Sequence, residues 1–357
     1  MKPQVAVIVS GFPRRSETFM LGELLALEAS GTLAAVFATK LGEFGTPQPG
    51  TERLTRYVEF LPDAPVEKQA RAVRAMLARK KINGIHAYFA HRPAEVAQHA
   101  ARMTGVPFGF SVHARDFRKV APEVLAVRAR NAACVVACNT DVARDIRSIG
   151  AKAHLLPHGV DLQRFTSTTA ASNDVLRLLT VGRLVEKKGF DFLIAALAGL
   201  KVPFTLTIVG DGPERERLRQ LVTLNKLENR VVFLGSATHT DLPQMYAEAD
   251  VVVVPSVQDR SGDRDGLPNV VLEAMASGRA VVASDVGGIA SAITNGENAL
   301  LVPPGDPVAL GDALRRLSQS KSLREHLGRN GRRRVERDYE VGRCSERFHQ
   351  LLTSVYV

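Results

Sequence analysis

The sequence predicts an α/β protein made of two doubly wound domains that face one another, each with a parallel sheet covered by helices. Apolar runs without strict alternation recur along the chain, each followed by a helical segment, which is typical of parallel strands buried on both faces. The length of 357 residues suits two domains of about 170 residues each. A short polar stretch at 166–173 separates the two series. We therefore predict domains at 1–168 and 172–339, with a C-terminal helix at about 340–357 that could pack back on the first.

The individual elements follow from the apolar runs and the turn residues between them. In the first half, strands are predicted at 5–9, 33–38, 85–89, 108–111, 134–137 and 154–156, and helices at 19–29, 67–81, 94–104 and 141–149. In the second half, strands are predicted at 176–181, 204–209, 231–234, 251–254, 280–283 and 299–302. Helices are predicted there at 190–199, 213–224, 242–248, 268–276 and 307–318, and from about 322 to 355.

The net charge of +10 lies almost entirely in the first half of the chain. Residues 1–170 carry 23 Lys and Arg against 14 Asp and Glu, whereas residues 171–357 carry 24 against 23. Such a basic excess attracts an anionic membrane surface or a phosphorylated acceptor, or it serves solubility alone. With no Trp and few other aromatic residues to stack on bases, nucleic-acid binding is not expected.

The three cysteines and the apolar runs bear on the cellular location. A sparse, odd set of Cys forms no disulfide framework and suits a reducing cytosol. No run approaches the ~18 apolar residues of a spanning helix, and no secretory signal is evident. We expect a cytoplasmic protein, at most peripheral on the inner face of a membrane. The helix at 67–81 is either a membrane-surface helix or a solvated helix packed on its own domain.

The second half of the chain contains side chains and backbone groups suited to binding a sugar nucleotide. Arg183 and Lys188 lie in the turn between the strand at 176–181 and the next helix. Pro268 fits the first position of another helix. The backbone N–H groups at the start of that helix, including those of Leu267 and Asn269, would form an anion-binding site. Two cations and a helix N-terminus suit a diphosphate, and nearby carboxylates suit sugar hydroxyls.

In these segments, Gly182-Arg183, Lys188-Gly189 and Asp265 to Glu273, the chain resembles the retaining glycosyltransferases of family 4 (GT4, group 1). That resemblance implies a GT-B fold, with two Rossmann-like domains facing across a cleft, the first binding the acceptor and the second the nucleotide sugar. It implies that Gly182, Arg183 and Lys188 bind the donor diphosphate and that Glu273 binds the ribose. The residue beside the donor sugar falls on Asp265, where the family has glutamate.

Three further segments extend the resemblance over residues 1 to about 340. Gly11-Phe-Pro-Arg-Arg-Ser-Glu-Thr18 and the motif beginning at His86 are similar to the branch that makes exopolysaccharides such as colanic acid. His113, just past a strand, matches a family histidine that contacts the donor sugar or phosphate. The segment 11–18 adds Gly11 as a candidate on the donor and Arg14, Arg15 and Glu17 on the acceptor side. Further donor candidates, from the second half of the chain, are Gly210, Gly266, Leu267, Pro268 and Asn269. Glu17 could instead complement the dipole of the first helix.

Two other patterns are weaker. Asp263-Arg-Asp265 has the form of a metal-binding Asp-x-Asp, but that signature belongs to a one-domain fold and leaves Arg183 and Lys188 unexplained. Gly210-Asp-Gly212 resembles a dinucleotide fingerprint whose third glycine would stand at 215, where the chain has Arg215, so a nicotinamide-dependent dehydrogenase is disfavoured.

The resemblance implies transfer of a hexosyl unit from a UDP- or GDP-sugar to a hydroxyl of a saccharide or lipid-linked saccharide. Substitution would occur on one face of the sugar, with neither metal nor cofactor. Two alternatives remain: a sugar-nucleotide epimerase of the same fold, and a sugar-nucleotide-binding scaffold without catalysis. The sequence predicts that Asp265→Asn lowers sugar transfer but leaves affinity for the bare nucleoside diphosphate nearly intact.

Overall fold

The computed structural model describes residues 2–14, 17–43, 48–167, 175–238 and 240–357, with the backbone alone of Arg118. The chain divides into two compact units: Met1–Gly159 with Val341–Val357, and Val160–Glu340. The division thus comes before the polar stretch at 166–173, of which residues 168–173 lie outside the described part. The last residues, Val341–Val357, belong to the first unit.

The first unit has a parallel sheet in the order β3-β2-β1-β4-β5-β6-β7. Its strands are β1 (Val5–Val9), β2 (Leu33–Ala38), β3 (Val58–Phe60), β4 (Gly84–Tyr88), β5 (Phe108–Val112), β6 (Cys134–Ala137) and β7 (His154–Leu155). Its helices before the second unit are α1 (Thr18–Ala29), α2 (Thr51–Leu54), α3 (Val66–Leu77), α4 (Arg92–Thr104), α5 (Asp116–Lys119), α6 (Pro122–Asn131) and α7 (Thr140–Ser148).

The second unit has a parallel sheet in the order β10-β9-β8-β11-β12-β13. Its strands are β8 (Leu176–Val181), β9 (Phe204–Val209), β10 (Val231–Gly235), β11 (Val251–Val254), β12 (Ala280–Ser284) and β13 (Leu300–Val302). Its helices are α8 (Phe190–Ala198), α9 (Arg215–Leu224), α10 (Leu242–Glu248), α11 (Asn269–Ala276), α12 (Pro307–Gln319) and α13 (Lys321–Asp338), and α14 (Val341–Val355) returns to the first unit.

Each sheet has an apolar core on both faces, as the unalternating apolar runs predict. In β1, Ala6 and Ile8 join one core, while Val5 and Val7 join the core on the opposite face. The same division separates Val251 and Val253 from Val252 and Val254 in β11. Because successive side chains of a strand point to opposite faces, a strand buried on both sides must be apolar throughout.

The C-terminal segment completes the core of the first unit. Phe348, Leu352 and Tyr356 are buried there, and the hydroxyl of Tyr356 donates to the carbonyl oxygen of Ile85 at 3.0 Å. A Cβ at Gly84 would lie 2.2 Å from the Tyr356 ring. Glycine at that position therefore makes room for the aromatic ring beside β4.

Helix α3 ends at Leu77, four residues before the predicted end. Its apolar stripe of Ala70, Val73 and Leu77 is buried in the core of the first unit. The stripe therefore packs on its own domain, and the exposed side of the helix carries charged residues such as Lys68 and Arg71. No helix in the described residues is long and apolar enough to span a bilayer.

Candidate functional site

Glycine-containing turns pack tightly at the carboxyl edge of the second sheet. A Cβ at Gly210, just past β9, would lie 1.9 Å from the carbonyl oxygen of Gly182, just past β8. A Cβ at Gly287, beyond β12, would lie 2.0 Å from the carbonyl oxygen of Asp265. Gly210 and Gly287 also have positive φ angles of 141° and 58°, which favour glycine. The chain segments thus approach one another more closely than side chains would allow.

Asp265 lies at this edge, surrounded by cations. Its Oδ2 is 2.7 Å from Nζ of Lys188 and accepts a hydrogen bond from the Ser256 hydroxyl at 2.7 Å. Its Oδ1 is 3.3 Å from Nζ of Lys187. We call Lys187, Lys188, Ser256 and Asp265 the Asp265 cluster. The carboxylate is 7% exposed; burial alone would raise its pKa, but the two ammonium groups and the hydrogen bonds hold the pKa below its usual value.

The other predicted diphosphate residue, Arg183, has a different environment. It is exposed, and its guanidinium forms no ion pair with any residue in the described part of the chain. Lys188, in contrast, runs across Gly182, where a Cβ would lie 3.4 Å from its Cε. The turn after β8 therefore presents Arg183, unpaired within the described residues, and two lysines, Lys187 and Lys188, that are already paired with carboxylates.

The start of α11 differs slightly from the prediction. The helix begins at Asn269, and Pro268 precedes it in an extended conformation with φ −70° and ψ 139°. Pro268 is therefore the N-cap residue rather than the first helical residue, because its ψ angle is not helical. Among the residues that the structure describes, no side chain caps this end, and Gly266, Leu267 and Asn269 beside it are half-buried.

Glu273 lies one turn further along α11. Its Oε2 accepts a hydrogen bond from the Tyr246 hydroxyl of α10 at 2.8 Å. Burial raises the pKa of Glu273, although the hydrogen bond from Tyr246 and the positive charge of Arg164 act in the opposite direction. Tyr246 in turn packs edge-on against Phe165. The Glu273 side chain is therefore held in place by its own domain.

The predicted acceptor-side residues lie in the first unit. Nε of Arg14 is 3.4 Å from Glu17, and Nη1 of Arg14 is 3.5 Å from Glu43. Burial raises the pKa of Glu17, whereas Arg14 opposes that shift. A Cβ at Gly11 would lie 3.0 Å from the carbonyl oxygen of Leu41, so backbone packing alone accounts for glycine there. Arg15 lies outside the described residues.

His113 follows β5, as predicted, and is one of a pair of histidines. Its Nε2 is 3.0 Å from Nε2 of His158, whose Nδ1 is 2.9 Å from the Glu23 carboxylate. Glu23 also accepts a hydrogen bond from the Tyr88 hydroxyl. Burial alone would lower the pKa of His158, but Glu23 raises it to about 10. Burial holds the pKa of His113 well below its usual value.

Two further titratable residues of the first unit, Asp116 and His86, are buried. Oδ2 of Asp116 accepts a hydrogen bond from the His113 backbone N–H at 2.8 Å, and burial raises the pKa of Asp116 to about 7. His86, which begins the motif that resembles the exopolysaccharide branch, is fully buried and hydrogen-bonds Ser111 through Nε2 at 2.9 Å. His86 is therefore a residue of the core.

Sequence reasoning missed several residues that the structure places beside the candidates. Lys187 was not a candidate, because the family resemblance falls on its neighbour Lys188. Tyr246 and Ser256 carry no local signal, because their contacts with Glu273 and Asp265 cross 27 and 9 positions. His158 could have been found by the rule that identified His113, since it too follows a strand of the parallel sheet.

Two parallel-sheet Rossmann-like domains, one with a glycine-lined and cation-rich edge, define a protein of the GT-B class. Residues 26–164 match the family model described as Glycosyltransferase Family 4, and residues 176–320 match the model described as Glycosyl transferases group 1. The chain belongs to this glycosyltransferase family.

The relatives include proteins of polysaccharide assembly. WcaL of Salmonella typhimurium, a glycosyltransferase named for colanic acid biosynthesis, is 32% identical over 202 residues, which cover 55% of this chain and 50% of WcaL. The chain thus spans about half the length of the curated relatives that it matches first.

Solved structures show the same fold over nearly the whole chain. HepE of Anabaena, crystallised with UDP, matches with a TM-score of 0.83 and 19% identity, covering 98% of this chain and 100% of HepE. Sucrose-phosphate synthase of Thermosynechococcus elongatus matches with a TM-score of 0.82 and 25% identity, covering 99% of each chain.

Proposed function

We propose that this protein transfers a hexosyl unit from a UDP- or GDP-sugar to a hydroxyl of a saccharide or lipid-linked saccharide, with retention of anomeric configuration. The observation that carries the proposal is the Asp265 cluster, held against Gly182 and Gly287 at the carboxyl edge of the second sheet. Ligands of doubly wound sheets bind at this edge. Two lysines, the exposed Arg183 and the uncapped start of α11 supply positive groups for a diphosphate.

The Asp265 cluster suggests an exchange of partners when the donor binds. Lys188 is paired with Asp265 at 2.7 Å, so an arriving diphosphate competes with the carboxylate for the ammonium group. As Lys188 turns to the phosphate, Asp265 gains lone pairs that can accept hydrogen bonds from hydroxyls of the donor sugar. Lys187, at 3.3 Å, keeps part of the charge of Asp265 compensated. Asp265 then contacts the sugar only after the diphosphate is in place.

The proposed reaction needs no carboxylate nucleophile. A double displacement requires a carboxylate free to attack the anomeric carbon and a second acid beside it, whereas Asp265 still faces Lys187 at 3.3 Å after Lys188 turns away and is proposed to accept hydrogen bonds from the sugar hydroxyls. In a same-face substitution, the bond from the anomeric carbon to the phosphate oxygen breaks as the bond to the acceptor oxygen forms. The acceptor hydroxyl proton passes to the departing phosphate. Positive groups that stabilise this diphosphate lower the barrier, and no divalent metal is required.

The remaining roles follow the family resemblance. Glu273, fixed by Tyr246, is proposed to bind the ribose, and His113 to contact the donor sugar or phosphate. Arg14 and Glu17 remain acceptor-side candidates. The name of WcaL supports an acceptor of the polysaccharide-assembly kind, and the basic excess of the first half is consistent with a phosphorylated or lipid-linked one.

Titration calorimetry with UDP and GDP tests the donor site. Lys188→Met and Arg183→Ala should each weaken binding about ten- to a hundredfold, because each removes a charge-assisted contact of roughly 1.5–3 kcal/mol. Lys201→Met is the matched control, since Lys201 is exposed and precedes β9, at the opposite edge of the sheet. Equal affinity in all three variants and the parent chain would show that the diphosphate does not bind at this site.

A panel of UDP- and GDP-sugars with saccharide acceptors then tests the reaction. Retention is read from the anomeric proton coupling of the product by NMR. A product of inverted configuration would overturn the same-face mechanism, and conversion of the donor without acceptor would indicate an epimerase. Donor binding without any turnover across the panel would indicate a scaffold.

A further inference from the structure

Three potential metal ligands gather in the first unit, apart from the Asp265 cluster. The imidazoles of His113 and His158 and the thiol of Cys138 place their ligand atoms within 4.8 Å of one another. All three residues are half-buried. We propose that His113, Cys138 and His158 form a binding site for a transition metal ion of borderline softness, of which Zn²⁺ fits this donor set best.

The sheet topology brings the three residues together. His113 follows β5, Cys138 follows β6, and His158 follows β7 after two intervening residues. In the parallel register Val112 pairs with Ala137, and Ala137 pairs with Leu155. The three ligands therefore leave the carboxyl ends of three adjacent strands. A site built on neighbouring strands is held more rigidly than one built on loops alone.

The distances are close to those of a tetrahedral zinc site. Zn–N bonds of about 2.0–2.1 Å and Zn–S bonds of about 2.3 Å place the ligand atoms about 3.3–3.6 Å apart. The two Nε2 atoms are 3.0 Å apart, and the three-atom set spans at most 4.8 Å. Side-chain shifts below about 1 Å would suffice to close the set around an ion. Three protein ligands leave a fourth position for water or another ligand.

The surroundings of His158 resemble the outer shell of a metal-bound histidine. Metal-binding histidines usually donate their second ring N–H to a carboxylate, which fixes the tautomer and the ring orientation. Here Nδ1 of His158 lies 2.9 Å from Oε1 of Glu23, and the other oxygen of Glu23 accepts from Tyr88. With the proton on Nδ1, the Nε2 lone pair of His158 faces the other two ligands. Glu23 is thus a positioning residue for His158.

A proton is the competing occupant of this site. Two imidazole nitrogens 3.0 Å apart share a hydrogen bond only if one carries a proton, and a metal ion would displace that proton. The site does not depend on the proposed function. Because His113 is also the residue proposed to contact the donor, an ion here should compete with sugar transfer and not support it.

Cobalt(II) is the probe for this site, because thiolate ligation gives it a near-ultraviolet charge-transfer band. The full chain, freed of metal and kept reduced, is titrated with Co²⁺ alone. We expect one Co²⁺ per chain, the thiolate band, and displacement by Zn²⁺. Cys138→Ser should abolish the band, whereas Cys344→Ser, which alters another of the three cysteines, should leave it unchanged.

Glu23→Gln keeps all three ligands and tests the outer shell. It should weaken Co²⁺ binding about ten- to a hundredfold, with circular dichroism checking that the variants are folded. A histidine pair that holds only a proton would give no thiolate band in the parent chain. That result, or a band that persists in Cys138→Ser, would overturn the proposal whatever the outcome of the donor-binding experiments.

Discussion

Replacing Asp265 by asparagine should have opposite effects on stability and on nucleotide binding. The change keeps the size of the side chain but removes the charge that compensates Lys188 at 2.7 Å and Lys187 at 3.3 Å. The folded protein then holds two adjacent ammonium groups, of which Lys188 loses its carboxylate partner while Lys187 keeps Asp263 at 3.4 Å. The same two groups become available to a diphosphate.

The magnitude can be estimated from these distances. At an effective dielectric constant of about 20, a unit charge pair 2.7 Å apart attracts by about 6 kcal/mol before desolvation. Desolvation of the buried carboxylate offsets roughly half of that, and breaking a buried pair costs about 3–5 kcal/mol. The lysines keep some contact with water, so we expect a loss of about 3 kcal/mol in the free energy of unfolding.

A double-mutant cycle with Lys188→Met isolates the pair. Lys188→Met alone should cost about 2 kcal/mol, since Lys187 still faces the carboxylate. The double variant should be more stable than the sum of the two losses predicts, with a coupling of about 2 kcal/mol, measured by urea unfolding. Losses that add within about 0.5 kcal/mol would refute the coupling.

Nucleotide affinity provides the second readout. Asp265→Asn should bind UDP or GDP about tenfold more tightly, equivalent to about 1.4 kcal/mol, while sugar transfer falls. The sequence alone predicts unchanged affinity for the bare nucleotide; the pairing with Lys188 changes that expectation. Asp285→Asn is the control, because it removes an exposed acid just past β12. A comparable gain in that variant would show a general charge effect.

Three further predictions concern other parts of the chain. The contribution of Asp116 to the free energy of unfolding should fall as pH rises from about 4 to 7, because the pKa of Asp116 is raised to about 7 and the folded state holds its proton longer than the unfolded state. Measured by chemical denaturation, the difference in unfolding free energy between the parent chain and Asp116→Asn should therefore change by up to about 4 kcal/mol over that window, whereas the difference for Asp63→Asn, at an exposed position, should stay constant. Gly210→Ala should lower the stability measured by thermal unfolding several times more than Gly296→Ala. Both glycines have positive φ angles, but only at Gly210 would the added Cβ meet backbone, 1.9 Å away. Equal losses of stability would contradict the packing argument. Sugar transfer should persist in excess EDTA. Activity that is lost in EDTA and restored by Mn²⁺ would contradict the proposal that side chains alone stabilise the diphosphate.

Most of the fold was predictable because parallel strands buried on both faces leave a strong signal. The bounds predicted for β1, β2, β6, β8, β9 and β11 agree with the structure. Strand β3, Val58–Phe60, was not predicted, since it has three residues, lies at the sheet edge and is largely exposed. The helix Pro122–Asn131 was also missed, because its arginines and exposed Val124 and Val127 blur the helical period.

The candidate site was predictable only as far as local sequence specifies it. The turn after β8 and the start of α11 could be placed at one edge by the rule for parallel sheets. The pairing of Lys188 with Asp265, 77 positions apart, could not, because it depends on how two loops are packed. For the same reason, the neighbourhood of His158, Glu23 and Cys138 emerged only from the structure.

The return of the C-terminal segment to the first unit has a consequence for how the protein is made. Because Tyr356 fills the space over Gly84, residues 1–159 lack part of their core until residues 341–357 have left the ribosome. The second unit, encoded between them, is a continuous stretch and can close earlier. The first unit therefore finishes folding after the second unit, and until then its apolar strands depend on protection from aggregation.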